Sequence, residues 1–326
     1  MQYKNSLILT LISLAMVGCN YNNSQKNVIS RRYVHKYGYD VSSDEWQTAK
    51  YPGQVLTMLK DGKTIVESYE DSLLHGYRTE SFPHSQTIEK QETYERGKIV
   101  KRVTYNIRGV PQNEEIFISP THILVTTWYQ TGSPRCKEEY KDDILINGQY
   151  YTISNEVDSK IDNGNGDRVS RNQSGDMLSK DIFVNNAITY TETYYQNNYP
   201  HTTTFYNNGL EDGEKKIFEM TGEPISVEHL HKGEKHGLCT YYQNGYKYQE
   251  SIYKNGLKDG VERHFVDGEI IVEETQYKNG VKHGPSIVYC DRSAKTTWYF
   301  ENERVNKNKY EQLMNRQEAI LSIQHN

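Results

Sequence analysis

The stretch YKNGLKDG at residues 253–260 decides the fold of this 326-residue chain, because near copies of it recur along the second half of the sequence. YKNGVKHG follows at 277–284, and FYNNGLEDG precedes it at 205–213. The paired glycines of this pattern are Gly209/Gly213, Gly233/Gly237, Gly256/Gly260 and Gly280/Gly284, with first members 24, 23 and 24 residues apart. A period of this size indicates one small structural unit copied in tandem. Such an array favours an extended contact surface over an enclosed catalytic pocket.

A second series of turn residues lies between the pairs. Gly222, Gly245 and Gly268 are each 23 residues apart, and the series extends backwards through Asn198 to Gly175. Asparagine is the usual substitute for glycine where the backbone needs a positive φ. The two series together predict a turn at every eleventh or twelfth residue.

The segments between the turns are typical of β-strands. Residues 246–253 and 269–277 are rich in Tyr, Ile, Val and Thr and are bounded by Asn-Gly or Asp-Gly, which is the pattern of antiparallel hairpins. A helix would be broken by glycine at this spacing. We therefore predict an all-β fold, an elongated single-layer antiparallel sheet of tandem β-hairpin repeats of about 23–24 residues.

The blocks YYQNG at 241–245 and YKNGLKDG at 253–260 resemble the MORN repeat (membrane occupation and recognition nexus). They look most like the variant repeat of bacterial proteins of the YwqK antitoxin family. The resemblance is good from about residue 196 to 289, and it implies the same hairpin fold that the glycine spacing predicts.

The repeat pattern divides the chain into regions. Regular repeats are expected over 173–305 and degenerate ones over 50–172, where WYQTG at 128–132 is the clearest echo. Residues 142–172 depart from the pattern, which leaves either an insertion or a distorted repeat.

The first residues have the features of an export signal. Residues 1–18 contain an apolar run that is too short to span a bilayer and is followed by polar sequence. The segment ending at Cys19 resembles a bacterial lipobox, and by that resemblance Asn20 favours the outer membrane. We expect acyl chains on Cys19 to anchor the protein in the lipid bilayer, and residues 19–49 to form a polar tether of low order. The alternative is a plain cleaved signal with an incidental cysteine.

Composition argues for a thin sheet. Hydrophobic residues make up 35% of the chain, too few for a large core, whereas 28 tyrosines are too many for disorder. Tyrosine can bury its ring and keep its hydroxyl in water, which suits a sheet with partly solvated faces. Cys136, Cys239 and Cys290 are far apart in sequence, so we predict no disulfide framework.

Residues 306–326 break the repeat pattern and are predicted to form a capping helix. Asn306 is a suitable N-cap, and Tyr310, Leu313, Met314, Ile320 and Leu321 form an apolar stripe. A helix here would protect the open end of the sheet. The alternative is a helix that binds a partner.

No constellation of residues points to catalysis, a cofactor or a metal. His236 and His283 are two repeats apart, too far to share one ion. Residues 162–167 fit neither register of a calcium-binding EF-hand loop. Lys and Arg, 38 in all, are scattered among 43 acidic residues, which argues against a nucleic-acid surface.

These features predict a non-enzymatic, lipid-anchored protein that presents a tyrosine-rich β surface to a protein partner. The family resemblance implies an antitoxin-like or immunity role, with a toxin as the partner. One alternative is direct binding of the repeats to a membrane surface, although the formal net charge of −5 opposes attraction to anionic headgroups. Another is a hydrolase with its site in residues 142–172.

Overall fold

The computed structural model describes residues 27–290 and 293–324. The chain divides into two compact units, the first ending at Gly109 and the second beginning at Val110. The predicted signal peptide and Cys19 lie outside the described residues.

The first unit is an antiparallel sheet with one short helix. Its elements are β1 (Val28–His35), β2 (Asp40–Val41), α1 (Ser43–Ala49), β3 (Gly53–Leu59), β4 (Thr64–Glu70), β5 (Leu73–Ser81), β6 (Ile88–Glu95) and β7 (Lys98–Tyr105). Strands β3 to β7 pair in chain order, while β1 pairs with both β2 and β3.

The prediction of a low-order tether over 19–49 is wrong for residues 28–49, which form β1, β2 and α1. The helix begins with a capping box, in which the Ser42 side chain and the Glu45 side chain each bond the other's backbone amide. Trp46 of this helix packs on Tyr33 of β1, with ring centroids 5.5 Å apart. Aromatic packing between distant residues therefore orders a segment whose polar composition is typical of a linker.

The second unit is a longer antiparallel sheet that ends in a helix. Its strands are β8 (Pro111–Ser119), β9 (His122–Trp128), β10 (Pro134–Lys141), β11 (Ile144–Tyr151), β12 (Val157–Asp162), β13 (Asn165–Arg171), β14 (Met177–Val184), β15 (Ala187–Tyr194), β16 (Pro200–Asn207), β17 (Leu210–Phe218), β18 (Pro224–His231), β19 (Glu234–Lys235), β20 (Gly237–Gln243), β21 (Tyr246–Lys254), β22 (Leu257–Lys258), β23 (Gly260–Val266), β24 (Ile270–Lys278), β25 (Val281–Cys290), β26 (Ser293–Phe300) and β27 (Glu303–Val305). The helix is α2 (Lys307–Gln324).

Strand pairing in the second unit follows the order of the chain. From β8 to β18, each strand pairs antiparallel with the next one. Strand β20 then pairs with β18 and β21, and β23 pairs with β21 and β24, while the short β19 and β22 pair with β18 and β21. Strands β24 to β27 again pair in chain order. Such an open sheet grows in one direction with each added hairpin. The predicted all-β class, an antiparallel sheet of consecutive hairpins followed by a C-terminal helix, is confirmed.

The two glycines of each pair have different structural roles. Gly256 lies in the hairpin loop, and its amide donates to the carbonyl of Lys235 one repeat earlier, at 2.9 Å. Gly280 donates in the same way to Lys258, at 2.8 Å. Gly260, by contrast, opens β23 at a φ of +139°, where the ladder with β21 is interrupted. The second glycine is thus a bulge residue inside the ladder, whereas the first is a loop residue that joins consecutive repeats.

Residues 142–172 continue the hairpin architecture. They hold β11, β12 and β13, but only two residue pairs, Ile161 with Gly166 and Asp162 with Asn165, join β12 to β13. This region is therefore built as a distorted repeat with a short ladder.

The sheet of the second unit has two distinct faces. One, which we call the inner face, buries the cluster of Leu145, Tyr150, Ile161 and Phe183. The same face in the regular repeats carries small buried side chains at successive strands: Thr204, Ser226, Cys239, Ser251, Thr275 and Ser286. We call the opposite side the outer face.

Helix α2 packs on the outer face near the end of the sheet. Asn306 caps it, since its side-chain oxygen accepts from the Lys309 amide at 2.8 Å. The Tyr310 ring lies 5.0 Å from that of Trp298 on β26, and Met314 Sδ lies 3.1 Å from His283 Nε2 on β25. These contacts involve the first two turns of the helix, whereas Ile320 further along is 48% exposed.

Candidate functional surface

A lysine two residues before the second glycine of a pair recurs on the inner face. Its ammonium group lies over the ring of a tyrosine from a neighbouring strand. The pairs are Lys235 over Tyr253 at 5.5 Å, Lys258 over Tyr277 at 5.0 Å, and Lys282 over Tyr299 at 5.3 Å, each measured to the ring centroid. Cation–π contacts of this kind contribute about 0.5–2 kcal/mol each, depending on desolvation.

Carboxylates complete the arrangement in two repeats. Lys235 Nζ donates to Glu228 Oε1 at 2.9 Å and to the Tyr241 hydroxyl at 2.8 Å. Lys258 Nζ donates to Glu262, whose carboxylate also accepts from Ser251 Oγ at 2.8 Å. These side chains form one network of charged groups and phenols around Lys235 and a second around Lys258, both on the inner face.

Tyr277 and Glu262 have pKa values that are shifted away from neutral pH. Burial, together with the negative charge of Glu262, raises the pKa of Tyr277 to about 12. Burial also pushes the pKa of Glu262 upward, but hydrogen bonds from Lys258 and Ser251 outweigh it, so the pKa lies below its usual value. A phenol held neutral beside a carboxylate held charged is suited to structural support, because neither group exchanges a proton near pH 7.

One repeat position on the outer face carries a large apolar side chain in three of five repeats. The residues at this position are 24, 23, 24 and 22 positions apart in sequence and are Phe205, His229, Ile252, Gln276 and Trp298. Phe205 is 45% exposed and Ile252 is 37% exposed. Leu238, the cross-strand partner of Ile252, is 43% exposed. We call Phe205, Leu238 and Ile252 the outer apolar row.

The second glycine of each pair lies directly beneath the side chain at this repeat position. A Cβ added to Gly260 would lie 2.9 Å from the Cβ of Ile252, and one added to Gly213 would lie 3.2 Å from that of Phe205. Both distances are shorter than ordinary van der Waals contact. The absence of a side chain at the bulge therefore allows the outer side chain to fold over the backbone.

The turn residues predicted from the sequence share one backbone property. All thirteen have a positive φ, the region that glycine and asparagine tolerate best. They are Gly175, Asn198, Gly209, Gly213, Gly222, Gly233, Gly237, Gly245, Gly256, Gly260, Gly268, Gly280 and Gly284. Cys19, the predicted lipidation site, lies outside the described residues.

The cysteines and histidines considered as candidate ligands have separate surroundings in the described part of the chain. Cys136, Cys239 and Cys290 are free thiols. His231 pairs with Asp212 at 3.1 Å, and His229 bonds the carbonyl of Leu238 at 2.8 Å. Within residues 27–290 and 293–324, no three His, Cys, Asp or Glu side chains are grouped closely enough to hold a metal ion.

The lysine–tyrosine network was not predicted from the sequence. Its signal is present in the motif itself, as the lysine of EKHG, LKDG and VKHG. The tyrosine beneath each lysine is 17 to 19 residues further along, so the pairing emerges only when the strand register is known.

Comparisons with known proteins identify no family. No family model matches the chain, and no curated protein matches it. Among solved structures, the crystal structure of BamB from Moraxella catarrhalis is similar at 10% identity and a TM-score of 0.15, covering 76% of this chain and 82% of that chain. A TM-score this low supports no inference about fold or function.

Neither helix of the described residues combines the length and apolar character that crossing a bilayer requires.

Proposed function

We propose that this chain is a non-enzymatic, lipid-anchored MORN-like repeat protein of the cell envelope that binds another protein through the outer apolar row. The observation that carries the proposal is the exposure of Phe205 and Ile252 at one repeat position of the second unit, with exposed Leu238 opposite Ile252. Leu238 and Ile252 are cross-strand neighbours, and exposed apolar side chains that adjoin on an open surface favour association with a partner. The inner tyrosines are engaged with lysines and carboxylates of the same chain, so the outer face is the better contact surface.

The partner we propose is a protein toxin that acts in the envelope, which makes the chain an antitoxin-like or immunity protein. This role follows from the repeat resemblance together with the lipobox-like segment at Cys19. A lipid-anchored neutraliser meets a toxin that acts at or crosses the membrane, whereas a purely cytoplasmic toxin would escape it. The outer membrane is the proposed site of anchoring.

Binding is tested with the full-length protein in its native membrane, by affinity capture and quantitation of stoichiometric partners. We expect one protein to be retained by the wild type and lost from Phe205→Glu and Ile252→Glu. Tyr246→Glu is the matched control, because Tyr246 is 63% exposed but begins its strand beside the Asn-Gly loop. Retention of the same partner by both charged variants would remove the outer apolar row from the proposal.

Anchoring is tested separately by labelling cells with radioactive palmitate. Label should enter the wild-type protein and be absent from Cys19→Ser, which should also leave the membrane fraction. Equal labelling of both proteins, or no labelling of either, would refute lipidation at Cys19. Co-sedimentation of Cys19→Ser with liposomes would instead support direct membrane binding by the repeats.

A further inference from the structure

Strand β26 is the last long strand of the second unit, and part of its edge is open. It pairs with β25 from Ser293 to Tyr299 but with β27 only from Trp298 to Phe300. In the described part of the chain, residues 293–297 therefore have a neighbouring strand on one side only. An unpaired strand edge is a template on which a strand of another chain can pair.

The backbone groups that face the open side follow from the hairpin. Two residues form the loop between Phe300 and Glu303, so these two residues exchange hydrogen bonds, and every second residue of β26 from Phe300 points the same way. Pro285 of β25, which has no amide proton, pairs with a residue of this series, which agrees with the assignment. Ala294 and Thr296 therefore direct their N–H and C=O groups to the open side.

A cleft of about 700 Å³ lies where β27 ends, next to this open edge. Among its lining residues are Thr296 and Thr297 of β26 and the cations Arg304, Lys307 and Lys309 of β27 and α2. No described Asp or Glu side chain lines it. The cleft thus combines unpaired backbone groups with positive charge.

Two of the three cations are free. Within residues 27–290 and 293–324, neither Arg304 nor Lys309 has an ion pair or a side-chain hydrogen bond. Lys307 Nζ lies over the Trp298 ring at 5.9 Å and is 3.9 Å from the Glu311 carboxylate, which is a long ion pair. The positive charge of the cleft is therefore only partly neutralised by the chain itself.

The other acidic side chains of this hairpin lie away from the cleft. Glu301 and Glu303 are at the loop end of the β26–β27 hairpin, where Glu303 pairs with Phe300. Thr296 is four residues from Phe300, which corresponds to roughly 13 Å along a strand. The charge next to Thr296 is therefore set by the cations of the cleft.

Helix α2 leaves the open part of β26 accessible. The Tyr310 ring lies 5.0 Å from that of Trp298 and 6.4 Å from that of Phe300. Met314 contacts His283 of β25, which is next to the residue that pairs with Tyr299. These contacts lie toward the loop end of the hairpin, so a strand added beside residues 293–297 would not displace the helix.

We propose that the open edge of β26 binds an extended acidic segment of a partner polypeptide, which adds to the sheet as a further strand. Its main chain bonds the N–H and C=O groups of Ala294 and Thr296, and its carboxylates interact with Arg304 and Lys309. Positive charge at the edge opposes pairing with the same edge of a second copy and so selects an acidic sequence. The site is independent of the outer apolar row, because it uses different strands, and either can fail while the other holds.

Binding is tested by isothermal titration calorimetry of the full chain carrying Cys19→Ser with three end-capped peptides. The acidic peptide is TEVEVET, the basic peptide is TKVKVKT, and the third is the acidic peptide with every backbone amide N-methylated, which keeps the charges but cannot donate to a strand. We expect saturable 1:1 binding of the acidic peptide and at least tenfold weaker binding of the other two. No saturable binding of the acidic peptide at millimolar concentration, or equal binding of either control peptide, would overturn the proposal.

Residue-resolved hydrogen exchange locates the bound peptide. In the free protein the Thr296 amide should exchange faster than that of Thr297, whose backbone faces β25. The acidic peptide should slow exchange at Thr296 at least tenfold and leave Thr297 unchanged. Saturable binding without protection of Thr296 would contradict the assignment.

Three variants separate strand addition from general attraction and from misfolding. Thr296→Pro removes the amide on the open side only, so the fold should be retained while binding of the acidic peptide falls at least tenfold. The double variant Arg304→Gln with Lys309→Gln should also weaken binding at least tenfold. Arg316→Gln removes an exposed cation further along α2, and binding should be unchanged. Full binding by Thr296→Pro, or an equal loss in Arg316→Gln, would refute the proposed site.

Discussion

Replacing the second glycine of a repeat with alanine should be more damaging than replacing the first, and the damage should follow the contact that the new methyl group makes. Gly260 has a φ of +139°, and its added Cβ would lie 2.9 Å from the Cβ of Ile252. Gly237, at the same repeat position, has a φ of +97° and a nearest contact of 3.6 Å to His229. Gly209, in a hairpin loop, has a φ of +77° and open space around it.

The expected losses of unfolding free energy follow from these geometries. A left-handed conformation costs a residue with a Cβ about 1–2 kcal/mol, and reduced freedom of the unfolded chain returns about 0.4–1 kcal/mol. Gly209→Ala should therefore lose about 1 kcal/mol. Gly260→Ala adds a sparsely populated backbone region and an overlap with a packed side chain, which brings the loss to about 2–4 kcal/mol. Gly237→Ala should lie between them.

Equilibrium urea unfolding, followed by far-ultraviolet circular dichroism, measures the overall loss. Hydrogen exchange of amides in β21 and β23 measures it locally, because repeat arrays can open without unfolding completely. The double variant Ile252→Ala with Gly260→Ala should recover the part of the overlap that involves Ile252 Cδ1 and Cγ2, each 3.2 Å from the added Cβ, but not the part at 2.9 Å, because alanine keeps the Cβ. Equal losses in all three single glycine variants, or no coupling between positions 252 and 260, would refute this account of the bulge.

Three further predictions concern ionisable groups. The pKa of Glu262 is lowered in the folded state, so its stabilising contribution is complete above about pH 4.5 and is lost as pH falls through the folded-state pKa. Urea unfolding measured at several pH values should show this loss of unfolding free energy. The loss should be absent in Glu262→Gln. Burial, assisted by the charge of Lys278, lowers the pKa of His283. Docking of α2 on the sheet should therefore be strongest above pH 6.5 and weaken as pH falls below it. Hydrogen exchange of the α2 amides should report this change, and His283→Gln should remove it. Cys290 is exposed, whereas Cys239 is fully buried with a raised pKa, so a thiol reagent should modify Cys290 within seconds and Cys239 only on unfolding.

The hairpin architecture could be predicted because its determinants are local. Asn-Gly and Asp-Gly at a constant interval define loops within a few residues of sequence, and the strands between them have their own composition. The bulge role of Gly213 and Gly260 is not local in this sense. The segments around them look like tight turns in the sequence, and only the register of both neighbouring strands distinguishes a bulge from a loop.

The order of residues 28–49 could not be predicted for a related reason. The segment has no phased glycine, and its polar residues outnumber its apolar ones. Its stability depends on contacts such as that of Trp46 with Tyr69, whose ring centroids are 6.1 Å apart although the residues are 23 positions apart in sequence. Tertiary packing of this kind overrides the local tendency toward disorder.

The tyrosines show which part of a compositional inference depends on the strand register. Their number correctly indicated a thin sheet, and the sequence then predicted that they form the contact surface. The rings of Tyr253, Tyr277 and Tyr299 instead lie under lysines of the same chain. Other tyrosines are exposed, among them Tyr246 at 63% and Tyr289 at 38%, so composition alone does not say which rings are available to a partner.

The bulge also explains an ion pair that a straight strand would not permit. Residues i and i+4 of a regular strand are about 13 Å apart, and their side chains stand roughly perpendicular to the sheet. Lys258 nevertheless bonds Glu262, and Glu211 bonds Lys215 at 2.7 Å with the charges in the opposite order. In both cases the second glycine lies between the partners, so the bend at the bulge brings the two side chains together. Because either order of charge fits, the geometry set by the glycine, rather than the identity of the ions, is what the repeat requires.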